Sequence, residues 1–146
     1  MNTTSQKLCT LRGLLELKFA DKPLPLDQVG PFVERADALV EARCPGASTS
    51  PLGHLGDGNL HFGIFAGKYD PEEFRRSAES LKGELLDLLH SFGGSFSAEH
   101  GIGCDKLAEM SRYKDPVAVE LMRAIKQVLD PANILNPGKV IPTADS

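Results

Sequence analysis

The stretch GHLGDGNLHFGIF, residues 53–65, constrains this chain more than any other. Asp57-Gly58 is among the strongest short hairpin signals, because the favoured two-residue turn needs positive φ at both central positions. After it, Leu60, Phe62 and Ile64 alternate with Asn59, His61 and Gly63. Successive strand residues point to opposite faces. Leu60, Phe62 and Ile64 are therefore expected on the core side, with Asn59, His61 and Gly63 on the other. If Asp57-Gly58 is the whole loop, His54 lies directly opposite His61, with Cβ atoms roughly 4.5–5.5 Å apart. Two imidazoles at that separation can share a metal ion, whose zinc–nitrogen bonds are about 2.0–2.1 Å. An ordinary hairpin with exposed or hydrogen-bonded histidines fits the same pattern. A phosphate cradle fits poorly: Gly53, Gly56 and Gly58 match neither GxGxxG nor the P-loop, and no helix follows them.

Around the hairpin the chain reads as alternating elements. Residues 1–25 are weakly patterned, and KFADKPLPL, with Pro23 and Pro25, suits an extended segment. Val29, Phe32, Val33, Ala36, Leu39 and Val40 recur at helical spacing, which predicts a helix from about Pro31 to Arg43. Asp70 and Pro71 open a second helix, with Phe74, Ala78, Leu81, Leu85 and Leu88 on one face and Gly93-Gly94 as its stop. SFSA, 95–98, reads as a short strand, and a short helix is expected from about Cys104 to Tyr113. Asp115-Pro116 starts a last helix whose expected buried face is Ala118, Leu121, Met122, Ile125, Val128 and Leu129. The order is helix, strand, strand, helix, strand, helices. That is an α+β class: a partial ferredoxin-like antiparallel sheet with helices packed on one face.

The bulk properties exclude some functions. A net charge of −4 over 146 residues gives no basic footprint for nucleic acid. No apolar run is long enough to span a bilayer. Three cysteines, Cys9, Cys44 and Cys104, form no CxxC pair, so a reducing, cytoplasmic setting is expected.

A second cluster of chemistry lies in SAEHGIG, 97–103. Adjacent strand residues point oppositely, so Glu99 and His100 share a site only if the chain bends, which Gly101 and Gly103 permit. Two histidines and a carboxylate are a common catalytic metal set, and a further histidine beside them suits a general base. A loop with a surface ion pair is the plainer alternative. His90, among leucines on its helix, reads as structural.

GHLGDGNLH, GGSFSAEHGIG and DPANILNPGKVIP, in this order, resemble the C-terminal part of FAD-linked 2-hydroxy acid dehydrogenases and oxidases. That family includes D-2-hydroxyglutarate dehydrogenase, D-lactate dehydrogenase and the glycolate oxidase flavoprotein subunit. The resemblance covers roughly residues 24–142 and implies a cap domain over 26–142, flanked by the weakly patterned 1–25 and a tail at 143–146. It implies that FAD is held by a domain or partner chain outside these residues, and that the substrate is a small 2-hydroxy acid. By resemblance His54, His61 and Glu99 are ligands of a divalent metal, with zinc the expected ion, and His100 is the base beside the substrate hydroxyl. Asn136, in NPGK, would face the flavin, and Asn59 and Lys18 would contact substrate. Two departures stand out. Gly63 replaces an asparagine frequent in metal-dependent members, and the family's carboxylate-holding Arg and Lys have no clean match, Lys18 being near the right place but out of step with the following Asp and Pro. The alternative is a metal- or metabolite-binding module without redox activity; self-association is the alternative to a flavin-bearing partner chain.

Overall fold

The computed structural model describes residues 14–19, 24–54, 59–97 and 101–142. The Asp57-Gly58 turn, Glu99 and His100 lie outside these residues. The chain divides into two compact units, Met1–Ala98 and Glu99–Ser146.

The first unit holds strands β1 (Leu14–Phe19), β2 (Ser48–His54) and β3 (Asn59–Phe65) and helices α1 (Leu26–Arg43) and α2 (Pro71–Ser91). The strands form one antiparallel sheet in the order β1-β3-β2. With the element order β-α-β-β-α this is five-sixths of the ferredoxin-like plan, and the expected α+β class holds.

The core follows from two periodicities. In β3, Leu60, Phe62 and Ile64 are buried at every second position, as the alternation predicts. Register puts Leu15, Leu17 and Phe19 of β1 opposite Ile64, Phe62 and Leu60, on the same face. Helix α1 buries Val29, Phe32, Ala36 and Val40, and α2 buries Phe74, Ala78, Leu81, Leu85 and Leu89, at steps of three and four. Phe32 joins the layers. Its ring meets Phe62 edge-on at 6.3 Å and Phe92 at 5.8 Å. Thr49 donates to the Asp37 carboxylate at 2.7 Å, tying β2 to α1.

The ends of α2 are closed as the sequence implies. Asp70 accepts the amides of Glu72 and Glu73 at 3.0 and 2.8 Å. At the other end Gly93 takes φ +75°, its amide reaches the His90 carbonyl at 2.9 Å, and the Gly94 amide reaches the Leu89 carbonyl at 3.1 Å. That double closure is the Schellman motif.

Several expectations are corrected. The hairpin register is shifted by two residues from the expected one: His54 lies opposite Asn59, and Leu52 opposite His61. Four residues, 55–58, separate the last paired positions, and His54 and His61 are diagonal neighbours. A shift of two leaves every side chain on its face, so the alternation could not distinguish the registers. Strand β1 occupies part of the segment read as weakly patterned. Helix α1 begins at Leu26, five residues before Pro31. Pro31 forgoes one backbone bond near the helix start, while buried Leu24 and Val29 draw the first turn onto the core. Ser95–Ser97 are not a strand; the Ser95 hydroxyl accepts the Ser97 amide at 3.4 Å, a local bond that competes with a ladder. His90 is exposed in the last turn of α2.

Two turns abut at one end of the sheet. Gly67 has φ +59°, and a Cβ built there would lie 2.5 Å from the Gly46 carbonyl oxygen, which already accepts the Lys68 amide at 2.9 Å. Gly67→Ala therefore meets both the left-handed penalty of about 1–2 kcal/mol and a backbone clash. We expect a loss of at least about 2 kcal/mol, read as a lower midpoint in urea unfolding; an unchanged midpoint would refute the abutment.

The second unit holds α3 (Leu107–Tyr113), shorter than expected, and α4 (Pro116–Leu129), capped by Asp115 through the amides of Val117 and Ala118 at 2.8 and 3.2 Å. Among its described apolar residues, Met110, Val119 and Pro142 are buried. The face of α4 expected to be buried is open: Leu121 is 60 %, Ile125 59 % and Val128 80 % exposed. Among the described residues no helix is long and apolar enough to cross a membrane.

Candidate functional site

The sheet has one face under α1 and α2 and one without them. Backbone register assigns positions to the second face. His61 lies opposite Lys18 on one side and Leu52 on the other, and His54 lies opposite Asn59. Strand alternation places positions 18, 54, 59 and 61 together on it. Four of the residues singled out from sequence thus share one sheet face, in three strands. Diagonal neighbours such as 54 and 61 are roughly 7–8 Å apart, against about 4.5–5.5 Å for a direct pair. His61 is half-buried.

In sequence Lys18 is out of step with the Asp and Pro that follow it; in backbone register position 18 pairs with position 61. The alternation from Leu15 to Phe19 signals a strand, but its register against β3 is set by a pairing that no local pattern carries. Gly63 continues the same face, with a virtual Cβ 3.4 Å from the Phe65 ring and 3.5 Å from the Ser50 carbonyl oxygen. Those are ordinary contacts, so a Cβ at this position would be accommodated.

The metal set predicted from sequence is not assembled among the described residues, where no cluster of three or more His, Cys, Asp or Glu side chains occurs. Glu99 and His100 lie outside them, and of the two histidines only His61 has a described side chain.

Asn136 lies in the second unit, in a tail wound against α4. It takes φ +48° and lines a groove with Met122, Ile125, Lys126 and Lys139. Asp130 organises this tail. Its carboxylate is 5 % exposed and accepts the amides of Ile134 and Leu135 at 3.0 and 2.9 Å. Lys126 pairs with it and also donates to the Leu135 carbonyl at 2.7 Å. The Lys126 hydrogen bond, helped by the two amides and opposed by burial, holds the Asp130 carboxyl below its ordinary pKa.

Comparison with known proteins gives one family. The profile of the FAD linked oxidases, C-terminal domain, matches residues 19–140. A D-2-hydroxyglutarate dehydrogenase of Stutzerimonas stutzeri is 34 % identical over 121 residues, 82 % of this chain and 26 % of that protein. The glycolate oxidase subunit GlcD of Escherichia coli is 44 % identical over 90 residues, 62 % of this chain and 18 % of that protein. A D-lactate dehydrogenase of Archaeoglobus fulgidus is 38 % identical over 142 residues, 92 % of this chain and 30 % of that protein. The chain thus spans between about a fifth and a third of the length of these relatives.

Proposed function

Because the chain belongs to the C-terminal domain family of the FAD-linked oxidases, we propose that it is the substrate-side part of a flavoenzyme that oxidises small 2-hydroxy acids. The observation that carries this reading is the sheet face that gathers Lys18, His54, Asn59 and His61 in register, within a chain whose relatives are named for 2-hydroxy acid substrates. Within the proposal, His54, His61 and Glu99 hold a divalent ion, and zinc suits two imidazoles and a carboxylate. The diagonal spacing of positions 54 and 61 is one that two imidazoles and a single ion can bridge.

A bound ion would acidify the substrate hydroxyl, and FAD would accept the hydride from the substrate carbon. The chain's own contribution is orientation and proton transfer. Lys18 and Asn59 engage the substrate's polar groups, and His100 takes the hydroxyl proton as the carbon is oxidised. Asn136 faces the flavin. FAD comes from a flavin-bearing segment or partner chain, without which this part is inactive. The open apolar face of α4, with Leu121, Ile125 and Val128, supports such docking, since exposed apolar patches of this kind mark interaction surfaces. The setting proposed is the cytoplasm.

The metal part is tested by titrating the purified chain with zinc alone. Wild type binds, and His61→Ala weakens binding by more than the about 10–100-fold that loss of an outer-shell partner costs. Equal affinity in the two proteins would remove His61 from the ligand set.

A further inference from the structure

We infer that Val140 is a positioning residue: its backbone amide, presented by a strained turn, fixes the glycine loop that follows Glu99 and His100. The inference rests on the proposed role of His100, but its geometry lies within the second unit.

Val140 has φ +68°, in the left-handed region. For a β-branched residue that is a true outlier. The Ile141 amide donates to the Lys139 carbonyl at 2.8 Å, closing a three-residue ring around Val140. A γ-turn with positive φ at its centre is rare and strained. The side chain is 43 % exposed, so it gains little by burial in return. Strain of this kind persists only where the surroundings over-determine it, and here two restraints do so. Arg123 of α4 donates twice to the Pro142 carbonyl, at 3.2 and 3.0 Å. The Val140 amide donates to the Gly103 carbonyl at 2.7 Å.

The second bond has a consequence for the loop. Gly101 and Gly103 have φ +66° and +57°, and a Cβ at either would meet nothing within 4 Å. The loop has no packing of its own at these two positions to hold it. The next backbone bond along the chain, Lys106 amide to Ile102 carbonyl, is long at 3.3 Å. The short bond from Val140 therefore anchors the glycine loop that follows Glu99 and His100 in the chain. Glycine could supply the same amide without strain.

Val140→Pro removes the donor and forbids the positive φ; Val140→Gly keeps both. Amide exchange by NMR on the chain alone reads the clamp, and the His100 imidazole resonances report whether its effect reaches that side chain. In Val140→Pro the Lys106 amide is expected to exchange about tenfold faster, the size of one lost hydrogen bond, and the His100 resonances to shift. In Val140→Gly both stay as in wild type, as do the Val119 and Asp130 amides of α4 in either variant. Three results would each overturn the inference: Lys106 unchanged in Val140→Pro, both variants loosening it equally, or α4 losing protection together with the loop. The role of His100 itself is judged separately, by turnover of a flavin-loaded assembly.

Discussion

His100→Ala in a flavin-loaded assembly is expected to lower turnover of 2-hydroxy acids by about 10²–10⁴-fold, the usual contribution of one positioned general base. Oxidation of the hydroxyl-bearing carbon releases a proton as well as a hydride. If His100 takes that proton, alanine removes the acceptor, while the flavin and the polar groups that hold substrate stay in place. The loss should therefore fall on kcat, with flavin content unchanged and KM nearly so. Turnover equal to wild type would assign the proton to another group.

The largest expected effect on folding belongs to Phe32. Phe32→Ala should destabilise the first unit by about 3–5 kcal/mol, a large share of the roughly 5–15 kcal/mol that domains possess. Phe32 is fully buried, and its ring contacts both the sheet, through Phe62, and the end of α2, through Phe92. Alanine would open a cavity where three elements meet, and none of the three can close it alone. Urea unfolding followed by circular dichroism measures the loss; a cost below about 1 kcal/mol would mean that the layers do not meet at this ring. By contrast, the exposed Arg43–Glu84 pair at 2.9 Å, which also links α1 to α2, should contribute less than about 1 kcal/mol.

What sequence could and could not reveal follows from the kind of signal each element leaves. Phe62 and Ile64 in β3, the steps of α2 from Phe74 to Leu85 and the caps Asp70, Asp115 and Gly93 rest on local patterns and appear in the structure where the patterns place them; at the end of α2 the buried residue is Leu89 rather than Leu88. The hairpin register does not, because a slip of two residues preserves both faces; the four-residue loop and the two-residue turn satisfy the same alternation. Strand β1 does leave a local signal, since Leu15, Leu17 and Phe19 alternate with Glu16 and Lys18, but nothing local says what it pairs with. Its partner lies more than forty residues away in β3, and with it the alignment of Lys18 and His61. The face of α4 was misread for another reason. Leu121, Ile125 and Val128 have the spacing of a buried stripe, and periodicity reports that a face is apolar without saying what covers it. Val140 left no signal, because its conformation depends on Gly103 and Arg123.

The most direct measurement is made on the chain purified under native conditions with whatever it binds. Its visible absorbance is read before and after anaerobic addition of glycolate, D-lactate or D-2-hydroxyglutarate. A flavin-bearing assembly is expected, with the oxidised flavin bleached by at least one of these acids and the bleaching lost in His100→Ala. A colourless, zinc-loaded monomer that never acquires flavin absorbance would contradict the assignment and leave a metal-binding module without redox activity.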